Sequence, residues 1–414
     1  REAPAGPSMA KRVLFGWELG KGNGHLRPFL PLLHALADEG WEVGIAQHNT
    51  AVASRELAAA GWPVFQSPVC MNEFSGISPD PANHVEIYLG AGFAHAETLL
   101  GLVNAWRALF RTFQPDLVIG NYAPSLMLAA HASGIPAIRI GSGFATPPHE
   151  GRAPLIRPWS PGIDARLDRA DAQALRTANA VLREFGLPPV PSLAAALDGD
   201  ATLLTTLPVL DPFHPRPPGH EHVGPLPQYR ASGEVGEPPE IFASLLMEQP
   251  HADAALKALA ASGLRAWAYV PDATPDWCAR ISTPALRVSD RPFDVPAALA
   301  SCRVVACYGG HNLVLSALLA GRPLLLLPGT ADQRLVAGKV AAIGAGLAVG
   351  REEKPARVAA ALKRLLQEAA FTEAARRFQE SQPADVGSRA LARAVAACQA
   401  AASPSPVSLK VVRS

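Results

Sequence analysis

This 414-residue chain predicts an α/β protein of two doubly wound, Rossmann-like domains facing each other across a cleft. Three observations carry that expectation. Short β-branched runs alternate with amphipathic stretches in both halves of the chain, the pattern of parallel sheets covered by helices on both faces. A proline- and glycine-rich stretch, 208–239, separates the two alternating regions and reads as a semi-rigid linker. The length suits two domains of about 200 residues each.

Composition narrows the class. Lys plus Arg is 37 against 36 acids, a net charge of +1, which argues against a general nucleic-acid binder. Hydrophobic residues make up 49% of the chain, yet no apolar run approaches the roughly 20 residues needed to cross a bilayer. The five cysteines lack CxxC spacing and are odd in number, as expected of reduced thiols in a cytoplasmic protein. Residues 1–8 read as a leader ahead of Met9 and are set aside from the fold.

In the first half, a strand at 12–17 leads through Gly20-Lys21-Gly22-Asn23-Gly24 into a helix over 25–39. Strand 42–47, helix 51–60 and strand 63–66 follow. After an irregular segment, 67–83, the periodicity predicts one long helix over 85–113. Strand 117–120, helix 124–132, strand 137–140, helices near 165–185 and 192–197, and strand 201–207 complete this half. Past the linker the alternation resumes with strand 241–246, helix 252–261 and strands 266–270 and 285–288. Charged, alanine-rich helices close the chain from Lys354 to Ala401, and the last dozen residues are expected to fray. The domain boundaries so read are 9–207, a linker at 208–239, 240–380, and a C-terminal helix at 381–402 that packs back on the first domain.

The most informative stretch is Cys307-Tyr308-Gly309-Gly310-His311-Asn312-Leu313. A buried strand stops at two glycines and an apolar helix begins at once, which presents free backbone N–H groups and the positive helix end to an anion. The next strand, 323–327, ends in Pro328-Gly329-Thr330-Ala331-Asp332-Gln333, so a second helix start brings an acid–amide pair suited to hydroxyls. Together they describe a nucleotide-sugar site, with Phe293, after the strand at 285–288, as the candidate for the nucleoside base.

Gly20-x-Gly22-x-Gly24 is a weak match to a dinucleotide fingerprint. The second strand ends Ala46-Gln47-His48-Asn49, with no acid to hold a ribose hydroxyl. The loop does place His25 at the tip of the first strand, where an imidazole can take a proton near neutral pH; a capping histidine is the plainer reading. Tyr88, Phe93 and Phe144 are candidates for an apolar acceptor pocket, with core packing as the alternative. Asp198-Gly199-Asp200 reads as a solvated turn. His214, His220 and His222 read as surface histidines without metal-ligand spacing.

Gly24-His25-Leu26-Arg27-Pro28, Pro115-Asp116-Leu117-Val118-Ile119, Gly134-Ile135-Pro136, His222-Val223-Gly224-Pro225-Leu226 and the block from Gly309 to Gln333 resemble, in order and spacing, the family-1, GT-B-fold glycosyltransferases of bacteria that glycosylate natural products. The resemblance spans nearly the whole chain. It implies an inverting transfer from a nucleoside-diphosphate sugar, used as co-substrate without a metal or other cofactor, to a hydroxyl of a small apolar or aromatic acceptor. His25 would be the base and Asn121 would stand where the family keeps its carboxylate partner. Ser244, Tyr308, Gly309, Gly310, His311, Asn312, Leu313, Asp332 and Gln333 would hold the donor. The pattern also departs from the family: Tyr308 replaces a diphosphate-binding histidine, Asn312-Leu313 replaces Gly-Thr, Ser316 replaces a glutamate, and Asn121 is an amide. Two other readings stay open at this point, a degenerate nucleotide-sugar binder or helper protein, and an epimerase or hydrolase on the same fold.

Overall fold

The computed structural model describes residues 10–20, 23–160, 162–227 and 236–403. Lys21 and Gly22 of the first glycine loop, residues 1–9 and residues 404–414 lie outside that set. Among the described residues the chain forms two compact units, one of 10–208, 213–227 and 387–403, the other of 209–212 and 236–386.

The first unit is built on a parallel sheet in the order β3-β2-β1-β4-β5-β6-β7, made of β1 Arg12–Trp17, β2 Glu42–Gln47, β3 Val64–Gln66, β4 Leu117–Asn121, β5 Ala137–Gly141, β6 Ala201–Leu204 and β7 His220–His222. β1 and β4 are buried along nearly their whole length, as expected of central strands covered on both faces. The chain winds outward from β1 through β2 and β3, then returns to β4 and winds the other way. The order therefore reverses between β1 and β4, and a ligand crevice belongs beyond the carboxyl ends of those two strands.

The edge strand β7 comes from the segment expected to be linker. Residues 213–227 belong to the first unit, and Thr202, Leu203 and Leu204 pair with His220, Glu221 and His222. Proline-rich composition misled here because these prolines flank an edge strand, where a missing N–H is tolerated. The helix Val386–Ala401 also belongs to this unit from Gly387 on. It buries Ala390, Ala394 and Cys398 at four-residue spacing, a stripe of small side chains that lets its backbone approach closely. Arg393 donates to the carbonyl of His222 at 2.9 Å and Gln399 to Glu39 at 2.7 Å.

The helix expected over 85–113 is broken. His84–Tyr88 forms a short helix capped by the Asn83 side chain, an irregular turn covers Leu89–Phe93, and a second helix runs from Ala96 to Phe113. Gly92 sits at φ +114°, and a Cβ there would lie 2.7 Å from Leu102 Cδ1. Hydrophobic periodicity continues through the break, so sequence pattern alone hides it. Beyond it, Leu99, Leu102, Val103, Trp106, Phe110 and Phe113 form the buried stripe that fixes the long helix to the core.

The second unit holds a six-stranded parallel sheet in the order β10-β9-β8-β11-β12-β13, from β8 Ile241–Ser244, β9 Ala266–Tyr269, β10 Leu286–Ser289, β11 Val304–Cys307, β12 Leu324–Leu326 and β13 Gly346–Ala348. The reversal lies between β8 and β11. Two short helices not expected from the sequence, Pro275–Ile281 and Val295–Ser301, follow β9 and β10, each capped by a side chain, Thr274 or Asp294. Both units are thus doubly wound. No helix of the described residues is long and apolar enough to cross a membrane.

Candidate active site

At the reversal point of the first sheet, Trp17 closes β1 directly opposite Asn121, the last residue of β4. His25 follows in the turn after β1. Its ring stacks on the Trp17 indole, with centroids 5.3 Å apart and planes at 14°, and its Nδ1 lies 2.9 Å from Asn121 Oδ1. Asn121 is buried, and its amide nitrogen donates to the Ile140 carbonyl of β5 at 2.8 Å. That second bond decides the first. An amide that spends its N–H on a carbonyl presents its oxygen to the imidazole, so His25 must carry its proton on Nδ1. Nε2 is then the basic nitrogen. An amide thus fixes the tautomer, although it supplies no negative charge to an imidazolium.

The turn is held from several sides. Leu19 N donates to the Tyr122 carbonyl at 3.0 Å, and Trp17 Nε1 donates to the Leu19 carbonyl at 2.7 Å. Tyr122 sits in the left-handed region at φ 47°, a costly conformation for a bulky residue that marks an over-determined position. Glu18 turns the other way, into the protein, and accepts the Ser125 and Leu126 amides at 3.0 and 3.4 Å at the start of the helix Pro124–Ser133. Burial pushes its carboxyl up to about 8 against those hydrogen bonds. No sequence motif announced this buried carboxyl next to Trp17.

The acceptor candidates divide. Phe93 is fully enclosed in the hydrophobic core, and Tyr88 is buried with its hydroxyl 3.0 Å from His149 Nε2. Neither offers a surface to a ligand, which corrects the expectation for both: the broken helix turns these rings inward. Phe144 remains half-buried beside Tyr122 and His84.

Asp198 corrects a second expectation. Its carboxylate lies 2.6 Å from His149 Nδ1, 3.0 Å from Arg139 Nη1 and 3.2 Å from His220 Nε2. Burial opposes its charge, but Arg139, His149 and His220 outweigh that and hold the carboxyl well below the usual range. His149 is pushed down to about 4 by burial and by Arg139. The Asp-Gly-Asp segment is a turn, as its composition demands, with Gly199 and Asp200 exposed; Asp198 alone turns to interior partners. His220 is an interior partner, not a surface histidine.

In the second unit, β11 ends at Cys307 beside Ser244 of β8, which puts Ser244 and the Tyr308–Gly310 turn together at the reversal point. Gly309 lies at φ +92°, and a Cβ on it would come within 3.3 Å of the Gln333 backbone. Only glycine both reaches that conformation and lets the two helix starts approach. Gly310 caps the helix His311–Leu319, and a Cβ there would meet the Tyr308 ring at 2.9 Å. The Tyr308 ring therefore covers the glycine turn, and burial pushes its hydroxyl up to about 12. Asn312 is exposed and Leu313 partly so in the first helical turn.

His311 Nε2 is enclosed without a hydrogen-bond partner, and burial pushes the ring down to about 4 against the opposing pull of Asp211. Gln333 is buried, and its Oε1 accepts the Gly329 amide at 2.8 Å and the Thr330 amide at 3.2 Å. It closes a capping box with Thr330, so the carbonyl half of this amide serves its own helix. Asp332 is partly exposed and accepts the Thr330 hydroxyl. Phe293 is buried, stacked on Trp267 with centroids 4.8 Å apart and with the Arg287 guanidinium over its ring. Buried and stacked within its own unit, the ring leaves no exposed face for a base, which corrects its assignment as a platform for one.

Fold and glycine-turn geometry together define a two-unit, doubly wound α/β protein with a glycine turn and a helix start at the reversal point of its second sheet. A solved structure of the glycosyltransferase VinC in complex with dTDP matches 93% of this chain and 100% of its own with a TM-score of 0.66 at 20% identity. Residues 283–397 match the family model described as erythromycin biosynthesis protein CIII-like, C-terminal domain. A PGL/p-HBAD biosynthesis glycosyltransferase of Mycobacterium tuberculosis is 32% identical over 330 residues, covering 73% of this chain and 75% of that protein. A PGL/p-HBAD biosynthesis rhamnosyltransferase of Mycobacterium bovis is 30% identical over 311 residues, covering 70% and 68%. The chain belongs to the family-1, GT-B-fold glycosyltransferases of bacterial natural-product biosynthesis.

Proposed function

We propose that the chain transfers a sugar, with inversion, from a nucleoside-diphosphate donor to a hydroxyl of a small aromatic or apolar acceptor. The observation that carries this reading is the relay from the Ile140 carbonyl through Asn121 to His25. It assigns the proton of the resting imidazole to Nδ1 and leaves Nε2 to take the acceptor's proton as its oxygen attacks the anomeric carbon. The bond from that carbon to the diphosphate breaks on the opposite face. The departing charge is assigned to the amides after Gly309 at the start of the helix His311–Leu319. Oriented amides stabilise developing charge without a metal ion.

His311 Nε2, enclosed and unpartnered, is assigned to a phosphate oxygen, and Asp332 to a sugar hydroxyl. The solved relative that holds dTDP and the relative named a rhamnosyltransferase make dTDP and its deoxysugars the first donors to test. A non-catalytic reading draws on one observation, the engagement of Gln333 by its own helix cap. A thermal-shift panel of nucleoside diphosphates with and without magnesium separates the two in combination with turnover. Ligands that bind only the folded state raise its stability by mass action. A metal-independent shift followed by turnover supports the transferase; a shift without turnover on any hydroxylated acceptor supports the binder.

A further inference from the structure

The least satisfied group of the first unit is His84. It is fully buried at the start of the short helix His84–Tyr88, and neither ring nitrogen has a hydrogen-bond partner within bonding geometry; the Phe144 backbone favours its protonated form. Four rings surround it: Phe144 at 4.5 Å between centroids, Phe213 at 5.6 Å, Tyr122 at 5.9 Å and Tyr88 at 6.4 Å. Buried polar groups are bonded in the great majority of proteins, and each exception asks for an explanation. Here the explanation lies next door. Tyr122 packs against His84 on one side and against His25, at 6.1 Å, on the other. The unpartnered imidazole is therefore one aromatic ring away from the base. Of the four rings, Phe144 alone is partly exposed, so it forms the side from which a flat molecule enters.

Burial, reinforced by His149, Arg139 and Arg216, holds His84 well below the usual histidine range and hence neutral. A neutral imidazole offers one N–H and one lone pair. It can bond a hydroxyl as donor or as acceptor, but it gives no charge to select an anion. Resting on the transferase reading above, we propose that His84 is a specificity-determining residue. In this role it is the polar end of an acceptor subsite walled by Phe144, Phe213 and Tyr122, which selects planar acceptors carrying a second hydroxyl besides the one that is glycosylated.

The test is equilibrium binding of 2-naphthol and 2,6-dihydroxynaphthalene, read by ligand fluorescence, on the full chain and on His84→Phe and His84→Gln, with dTDP thermal shifts run alongside. The expected result is about tenfold tighter binding of the diol by the wild type, the worth of one well-placed hydrogen bond. In His84→Phe that preference vanishes while the mono-ol binds as before; His84→Gln retains part of it. His84→Phe should melt at or above the wild-type temperature, because it replaces an unpaired buried polar ring with an apolar one. Equal wild-type affinities overturn the proposal. So do a preference that survives His84→Phe, an equal loss of both ligands, or a lowered melting temperature, which would reveal a structural partner for the imidazole. Failure of both naphthols to bind while dTDP still shifts the melt overturns this subsite and leaves the transferase reading standing. Absence of any nucleotide shift counts against the transferase reading, and the naphthol arm still decides on His84.

Discussion

Replacing Gly20 by alanine should disable the base without touching the donor half. Gly20 sits at φ +84°, and a Cβ built on it lies 2.3 Å from His25 Nε2 and 2.8 Å from its Cε1. Ordinary van der Waals contact begins more than an ångström farther out, so the ring or the turn must move by about that much. The turn cannot easily give, because the neighbouring Leu19 is tied through its N–H to Tyr122 and through its carbonyl to the Trp17 indole. The ring must then retreat, and a shift of about 1 Å takes the 2.9 Å bond to Asn121 out of hydrogen-bond range. A misplacement of that size costs on the order of 10²-fold in rate. The left-handed backbone adds about 1–2 kcal/mol of strain for any residue but glycine. The assay is kcat for sugar transfer, beside the thermal shift produced by dTDP. Gly20→Ala should lose roughly two decades of kcat and keep the nucleotide shift. Wild-type kcat in that variant would refute the assignment of Nε2 as the proton acceptor.

Three further outcomes follow from the same geometry. Asn121→Ala removes the group that orients His25 and leaves the buried Ile140 carbonyl unpaired; kcat should fall about five- to tenfold, as for one lost hydrogen bond, in single-turnover assays, with a stability loss of about 1–3 kcal/mol in urea melts. Asp198→Ala strips the counter-charge from Arg139, and breaking such a buried pair should cost about 3–5 kcal/mol, read by chemical denaturation. His149, neutral when folded with its titration pushed down to about 4, takes up a proton in the unfolded chain below about 6.5. Its contribution is therefore fully present above that pH and is lost as the pH falls toward 4, by at most about 1.4 kcal/mol per unit. Thermal melts between pH 7 and 4.5 should show this slope, and it should be weaker in His149→Gln.

Much of the architecture was legible because parallel sheets write themselves as buried runs between amphipathic stretches, and because strand ends at a reversal point carry glycine turns. His25 and the Gly309–Gly310 turn were found that way. Asn121 came from pattern resemblance, and its bond to His25 is the geometric link that sequence order alone could not supply. What escaped notice depends on packing across long separations. Asp198 obeys turn chemistry, which is local, yet its partners are Arg139, His149 and His220, none of them nearby in sequence. Phe293 and Phe93 looked like ligand platforms because an aromatic side chain reads the same in a pocket and in a core. Gln333 illustrates a third limit. The Thr330-to-Gln333 spacing fits a capping box as well as a sugar contact, and in the structure its carbonyl serves the cap.

The account stands or falls on His25. Single-turnover transfer from a dTDP-sugar to a hydroxylated acceptor, measured in wild type and His25→Ala with dTDP binding monitored in parallel, tests it most directly. The predicted result is a loss of about 10²- to 10⁴-fold in the transfer rate with unchanged nucleotide binding. Transfer at the wild-type rate by His25→Ala would contradict it.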